Sequence, residues 1–213
     1  QKKMEINWVA ISRVDMIDED VLYWMRKAGC IQISYGVESG SKKIREFLNK
    51  KISDEQICRA FKLTQHYGMM ARAYFIYGCP QESRQTIQQT IDLIDTIKPL
   101  SAIFYILDIF PGTALYQDYK KKFKVSDDIW LNRIEDIMYF ETDPAMSGET
   151  VREYGRMLRD GFHRMLPGFA ADIELVEDPG FFPLHADFLS RLGMTFHQGD
   201  WSHIDAIPEK KKT

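Results

Sequence analysis

The chain has 213 residues, of which 45% are apolar and 28% are charged, and its formal net charge is -3. These values are typical of a globular protein with one sizeable core. No basic stripe supports a grip on nucleic acid, and no apolar run is long enough to cross a bilayer. We therefore expect neither a nucleic-acid nor a membrane partner.

The cysteine content bears on cellular location. Cys30, Cys58 and Cys79 are odd in number, far apart, and lie in apolar or helical surroundings. This distribution argues against a disulfide framework and favours a reducing, cytoplasmic location. Because the sequence opens on Gln1 and not on an initiator Met, we expect it to be a piece of a longer protein.

Strands and helices alternate over the first 120 residues. Apolar runs predict four strands, at residues 6–11, 31–36, 71–77 and 102–110. Start signals predict the intervening helices, which open at Asp18, Ser41, Ser53 and Ser83. A turn at residues 111–113 precedes one more helix. Four successive β–α units imply an α/β fold with parallel strands joined by right-handed crossovers.

The pattern changes after residue 122. A long helix is predicted to begin at Ser147 or Thr150, and from Pro167 onward Gly and Pro recur among aromatic residues. We therefore predict two parts. Residues 1–122 form the α/β unit, and residues 123–213 form a mostly helical or irregular extension that packs on it.

Two phrases about forty residues apart share one plan. GVESGS (residues 36–41) and YGCPQES (residues 77–83) each follow an apolar run with glycine, an acid and serine, and a helical pattern comes next. Parallel strands bring such ends to one rim of a sheet, which is where ligands usually bind. The sequence therefore predicts a ligand site at this rim.

Taken together, the motifs resemble the radical S-adenosylmethionine (SAM) enzymes, in the branch that often carries an N-terminal cobalamin-binding domain. They are AGC (residues 28–30), GVESGS, FIYGCPQES (residues 75–83) and FPGTALY (residues 110–116). The resemblance covers residues 5–120. It implies a partial TIM-like (β/α) barrel that works with SAM and a 4Fe-4S cluster, and with cobalamin if that domain lies upstream. In such enzymes one-electron reduction of SAM yields a radical that abstracts a substrate hydrogen.

The chain departs from this family at two places. It lacks the Cys-x3-Cys-x2-Cys triplet that holds the cluster, so we expect no metal site in this chain. We expect the chain to cover the third to sixth strands of the barrel. By itself, it should be inactive. In the second phrase, Gln81 and Ser83 replace the family's Gly and Thr. Ser83 keeps the hydroxyl group that caps the helix. Because residue 81 is glutamine and not glycine, we expect the turn to have no positive φ at this position. Glu82 is expected to serve the fold, with a neighbouring basic partner.

Several candidate SAM ligands follow from the resemblance. Glu38 and Ser39 would contact the ribose or the methionyl group, and capping of the next helix is the alternative for Glu38. Gly36 would let the backbone turn and approach the ligand closely. Arg13 is a candidate for the SAM carboxylate or a substrate anion, and a surface pair with Asp15 is the alternative.

The resemblance also places an adenine site. Ile76, Tyr77 and Gly78 would offer an apolar wall and backbone groups to the base, and a plain buried strand end is the alternative reading. Phe110 and Pro111 end the fourth strand at the same rim, where core packing is the alternative. The substrate is not specified by the sequence.

Two other functions stay open. The chain could be a non-catalytic α/β scaffold that forms a homodimer through its exposed sheet edges. It could also be an unrelated α/β-barrel enzyme whose strand ends resemble this family by chance.

Overall fold

A computed structural model of the chain describes residues 6–132, 143 and 145–198. In these residues one sheet is built from β1 (Trp8–Ser12), β2 (Cys30–Glu38), β3 (Met70–Tyr77) and β4 (Ser101–Ile106). The strands lie in chain order and every neighbouring pair is parallel. Their carboxyl ends therefore share one edge of an open sheet, which confirms the predicted α/β class with four parallel strands.

Helices connect and cover the strands. They are α1 (Glu19–Lys27), α2 (Lys42–Phe47), α3 (Asp54–His66), α4 (Arg84–Ile97), α5 (Ala114–Phe123), α6 (Ile129–Asn132), α7 (Gly148–Ala171) and α8 (Phe182–Gln198). The predicted start of α3 is confirmed, because Ser53 and Gln56 form a reciprocal capping box. The start of α4 is confirmed in the same way by Ser83 and Thr86. Within the described residues, no helix has the length and apolarity needed to span a bilayer.

One predicted strand end was wrong. The fourth strand ends at Ile106 and not at residue 110. Leu107 and Ile109 nevertheless stay buried, because they pack in two small clusters beside α2 and α5. In the second half, α7 continues through Pro167, within the extension that was predicted to be mostly helical or irregular.

The core lies on one face of the sheet. Alternate β3 side chains from Ala71 to Tyr77 are buried on the side that the helices cover. On the other face, Ile11 is 79% exposed and Tyr105 is 53% exposed. The main core also includes Phe162 and Phe188 of the C-terminal helices. The division at residue 122 stays a prediction, and part of the extension lies outside the described residues.

Candidate functional site

A cavity of ≈ 870 Å³ opens at the carboxyl ends of the strands, on the open face of the sheet. Five of the nine predicted ligand residues line it: Arg13, Gly36, Glu38, Ile76 and Phe110. Four others do not line it: Ser39, Tyr77, Gly78 and Pro111. Among the lining residues that sequence reasoning did not single out are Tyr74, Tyr105 and Asp108.

Glu38 occupies the tip of β2 in an unusual backbone conformation. The ladder between β2 and β3 shifts register between Gly36 and Glu38, and Glu38 has a φ of 69°. Lys50 Nζ donates to Glu38 Oε1 at 2.9 Å, with 19% and 17% of the two side chains exposed. No described donor reaches Oε2. The bulge and the lysine therefore hold a carboxylate in the cavity with one oxygen free to accept.

Gly36 lies directly against the ion pair between Glu38 and Lys50. A Cβ at this position would lie 2.5 Å from Glu38 Oε1 and 2.9 Å from Lys50 Nζ. Its φ is not in the left-handed region. The glycine therefore leaves room for the ion pair to lie across β2, whereas sequence reasoning invoked a backbone turn.

Arg13 follows β1 and is already paired. Its Nε and one terminal nitrogen donate to the two carboxylate oxygens of Asp15 at 2.9 and 2.8 Å. This hydrogen bonding lowers the pKa of Asp15 and raises that of Arg13. The surface pair that the sequence offered as an alternative is thus present, and Arg13 also borders the cavity.

Asp108 lies just beyond β4. Its neighbours Leu107 and Ile109 are buried among apolar side chains, so Asp108 faces the cavity between them. Partial burial raises the pKa of its carboxyl group, against a hydrogen bond from the Ile109 N–H at 3.2 Å. Sequence reasoning missed Asp108 because it falls inside an apolar run. The signal was available, since a lone acid interrupts that run at a strand end.

The turn between β3 and α4 is built around Glu82. Its Oε2 accepts from the backbone N–H groups of Gly78 at 2.6 Å and Cys79 at 3.2 Å, and not from the basic partner that was predicted. Burial raises the pKa of Glu82 to about 7, although both hydrogen bonds act in the opposite direction. The expectation for Gln81 was wrong, because its φ is 65°. The turn does need the left-handed conformation at which the family has glycine.

Ser39 and Tyr77 are placed in the packing beneath the rim. The hydroxyl of Ser39 is buried, contacts the hydroxyl of Thr90 at 3.2 Å and accepts from the Ser41 N–H at 3.1 Å. Tyr77 packs in a cluster with Val151 of α7. Both side chains thus join the strand ends to the helices behind the sheet.

The cysteines do not provide a cluster site. All three thiols are free, and Cys30 and Cys79 are buried. Burial raises the pKa of each thiol, which disfavours the thiolate form that binds iron. In the part of the chain that the structure describes, no three His, Cys, Asp or Glu residues are grouped to hold a metal ion. The donor set therefore does not fit a 4Fe-4S cluster.

Comparison with protein families identifies the first half of the chain. Residues 2–94 match the radical SAM superfamily. The matched segment, 93 of the 213 residues, is therefore assigned to this superfamily. The matched segment runs from before β1 into α4, so it contains the tips of β2 and β3 with Glu38 and Glu82. This confirms the family that the motifs predicted.

Two curated relatives show how much of a longer protein the chain represents. An uncharacterised methyltransferase of Pyrococcus horikoshii is 35% identical over 117 residues, which are 55% of this chain and 26% of the relative. An anaerobic magnesium-protoporphyrin IX monomethyl ester cyclase of Rubrivivax gelatinosus is 29% identical over 140 residues, which are 65% of this chain and 25% of the relative. The chain thus spans about a quarter of the length of these relatives.

One solved structure supports the fold. It is a radical SAM methyltransferase of Kitasatospora setae with cobalamin and a 4Fe-4S cluster bound. It superposes with a TM-score of 0.51 at 15% identity, and the match covers 92% of this chain and 43% of that chain. At this identity the likeness concerns the fold alone.

Proposed function

We propose that this chain forms the nucleoside-binding part of a radical SAM enzyme, and that SAM binds in the cavity at the tips of β2, β3 and β4. One observation carries the proposal. The family-matched segment places the Glu38 carboxylate in that cavity, oriented by a β-bulge and held by Lys50. An anionic acceptor of this kind suits the hydroxyl pair of a ribose.

Each lining residue has a role that its chemistry supports. Glu38 Oε2 accepts from a ribose hydroxyl, because no described donor competes for it. Ile76 and Phe110 supply apolar surface for adenine, and the 59% exposure of Phe110 leaves its ring free to do so. Arg13 stays close enough to the cavity to attract the methionyl carboxylate while Asp15 holds it in place.

The chemistry of the whole enzyme belongs to the cofactor. SAM bound to a reduced iron–sulfur cluster supplies one-electron chemistry, whereas the residues of this chain bind it, orient it and exclude water. We propose that cluster ligands come from residues outside this sequence, because its three thiols are buried or separated. We further propose methyl transfer or ring formation as the reaction, by analogy with the two relatives, and a cobalamin domain in the intact protein.

SAM titration by calorimetry tests the site. We expect the wild-type chain to bind SAM and Glu38→Gln to bind it about tenfold more weakly, because a hydrogen bond to a charged acceptor is lost. Glu174→Gln is the matched control, since Glu174 is an exposed carboxylate. Unchanged affinity in Glu38→Gln, or a folded wild-type chain that does not bind SAM, would overturn the proposal.

Anaerobic reconstitution with iron and sulfide tests where the cluster ligands lie. We expect no stoichiometric cluster absorbance from these 213 residues. A stoichiometric cluster whose spectrum responds to SAM would show that this chain holds the cluster, contrary to the proposal.

A further inference from the structure

The charged side chains of the cavity are unequally paired. Four of the described residues that line it are charged, and three of these are in ion pairs: Arg13 with Asp15, and Glu38 and Lys50 with each other. Asp108 is the remaining one. Within the described residues no cation contacts its carboxylate, and only the backbone N–H of Ile109 donates to it. Among the described lining residues, Asp108 thus leaves one negative charge without a counter-ion, just beyond β4.

Packing fixes the position of Asp108 and limits the contact of its carboxylate with water. The two flanking side chains are nearly inaccessible, with Leu107 at 5% and Ile109 at 1% exposure, so the local backbone is fixed by packing. Asp108 itself is half-buried, which removes part of the water that would otherwise solvate its charge. A partly desolvated carboxylate without a counter-ion binds a cation or a strong donor more favourably than a fully exposed one does.

Two aromatic rings line the same cavity as this carboxylate. Tyr74 on β3 and Tyr105 on β4 lie side by side, with ring centroids 5.9 Å apart and planes inclined by 51°. Tyr105 is 53% exposed, and both rings line the cavity together with Asp108. Aromatic faces attract cations and also bury apolar groups. A cavity that is lined by such faces and by a carboxylate is suited to an apolar group that ends in a protonated amine.

We propose that Tyr74, Tyr105 and Asp108 form a substrate subsite that accepts an aromatic or alkyl group bearing a protonated amine. This inference rests on the proposed function, because it assigns the second ligand of the cavity in which SAM binds. The subsite lies on β3 and β4, whereas the Glu38–Lys50 pair lies across β2. The two ligands are therefore recognised by different residues.

Three small probes of similar shape test the charge preference: benzylamine, benzyl alcohol and benzoate. We expect the 213-residue chain to bind benzylamine about tenfold more tightly than benzyl alcohol, and benzoate most weakly, in titrations followed by NMR. Asp108→Asn should bind the amine and the alcohol equally. Asp118→Asn, an exposed aspartate on α5, is the matched control and should keep the preference. Equal binding of amine and alcohol by the wild-type chain would overturn the proposal.

Two further measurements separate this proposal from the SAM site. SAM affinity should be unchanged in Asp108→Asn, and an equal loss of SAM and amine binding would refute a separate subsite. Failure of the wild-type chain to bind SAM would instead refute the proposed function and leave the amine preference measurable. In the wild-type chain, amine binding should also weaken as acid protonates Asp108, so the test does not depend on the variant folding. Amine binding that is constant over acidic pH would contradict the proposal.

Discussion

Replacing Gly36 by alanine should disturb the site more than the fold. The added Cβ would lie 2.5 Å from Glu38 Oε1 and 2.9 Å from Lys50 Nζ, so one or both side-chain ends must move. Because the pair is mostly buried, losing its charged hydrogen bond should destabilise the protein by about 1.5–3 kcal/mol. The lower entropy of the unfolded chain offsets roughly 0.5–1 kcal/mol of this. We therefore expect a net loss of about 1 kcal/mol in the free energy of unfolding.

Urea denaturation in two backgrounds measures this effect. In the wild type, Gly36→Ala should lower the midpoint, and SAM affinity should fall because Glu38 is displaced. In Glu38→Ala, the atom nearest to the new methyl group is gone. The same substitution should there be neutral or stabilising by about 0.5 kcal/mol. An equal loss in both backgrounds would mean that Gly36 is needed for its own backbone, and not for the ion pair.

Three other properties follow from the structure. The pKa of Glu82 is about 7, which lies above the ordinary carboxyl value of 4.5. The contribution of Glu82 to the free energy of unfolding is therefore full at low pH and falls by about 3 kcal/mol as pH rises from about 5 to 8. Glu82→Gln should remove this pH dependence in urea titrations. Gln81→Gly should raise the unfolding free energy by about 1 kcal/mol, because Gln81 has a φ of 65°. We propose that β1 and β4 leave open edges that pair two chains, so sedimentation should detect a dimer at high concentration.

Each of these expectations has a result that contradicts it. A pH profile that is the same in the wild type and in Glu82→Gln would show that this carboxyl group titrates normally. A Gln81→Gly variant that is less stable than the wild type would show that the glutamine side chain outweighs its backbone strain. A strict monomer at high concentration would indicate that other parts of the chain cover the sheet edges.

Local signals predicted the fold well. Ser53 and Ser83 each form a capping box with the residue three positions later. Because this signal is local, the starts of α3 and α4 could be placed from the sequence. The end of β4 could not, because Leu107 and Ile109 are buried in small clusters although they lie beyond the last residue of the strand. Burial keeps a segment apolar whether or not its backbone joins the sheet.

The site was predictable only in part. Motifs pointed to Gly36 and Glu38, but the ion pair that explains the glycine requires Lys50, twelve residues beyond Glu38. Tyr74 and Asp108 lie at the cavity for two reasons. One is the register of the strands, and the other is that the helices cover only one face of the sheet. Neither property is encoded in a short segment, since both depend on how distant elements pack.

The central claim is that SAM binds on the open face of the sheet at the strand ends. Isoleucine methyl groups observed by NMR test it directly, because Ile11 and Ile76 line the cavity whereas Ile87 and Ile97 are buried residues of α4. We predict that SAM shifts the methyl resonances of Ile11 and Ile76 and leaves those of Ile87 and Ile97 unchanged. Saturable binding of SAM that moves Ile87 or Ile97 while Ile11 and Ile76 stay unaffected would contradict the claim.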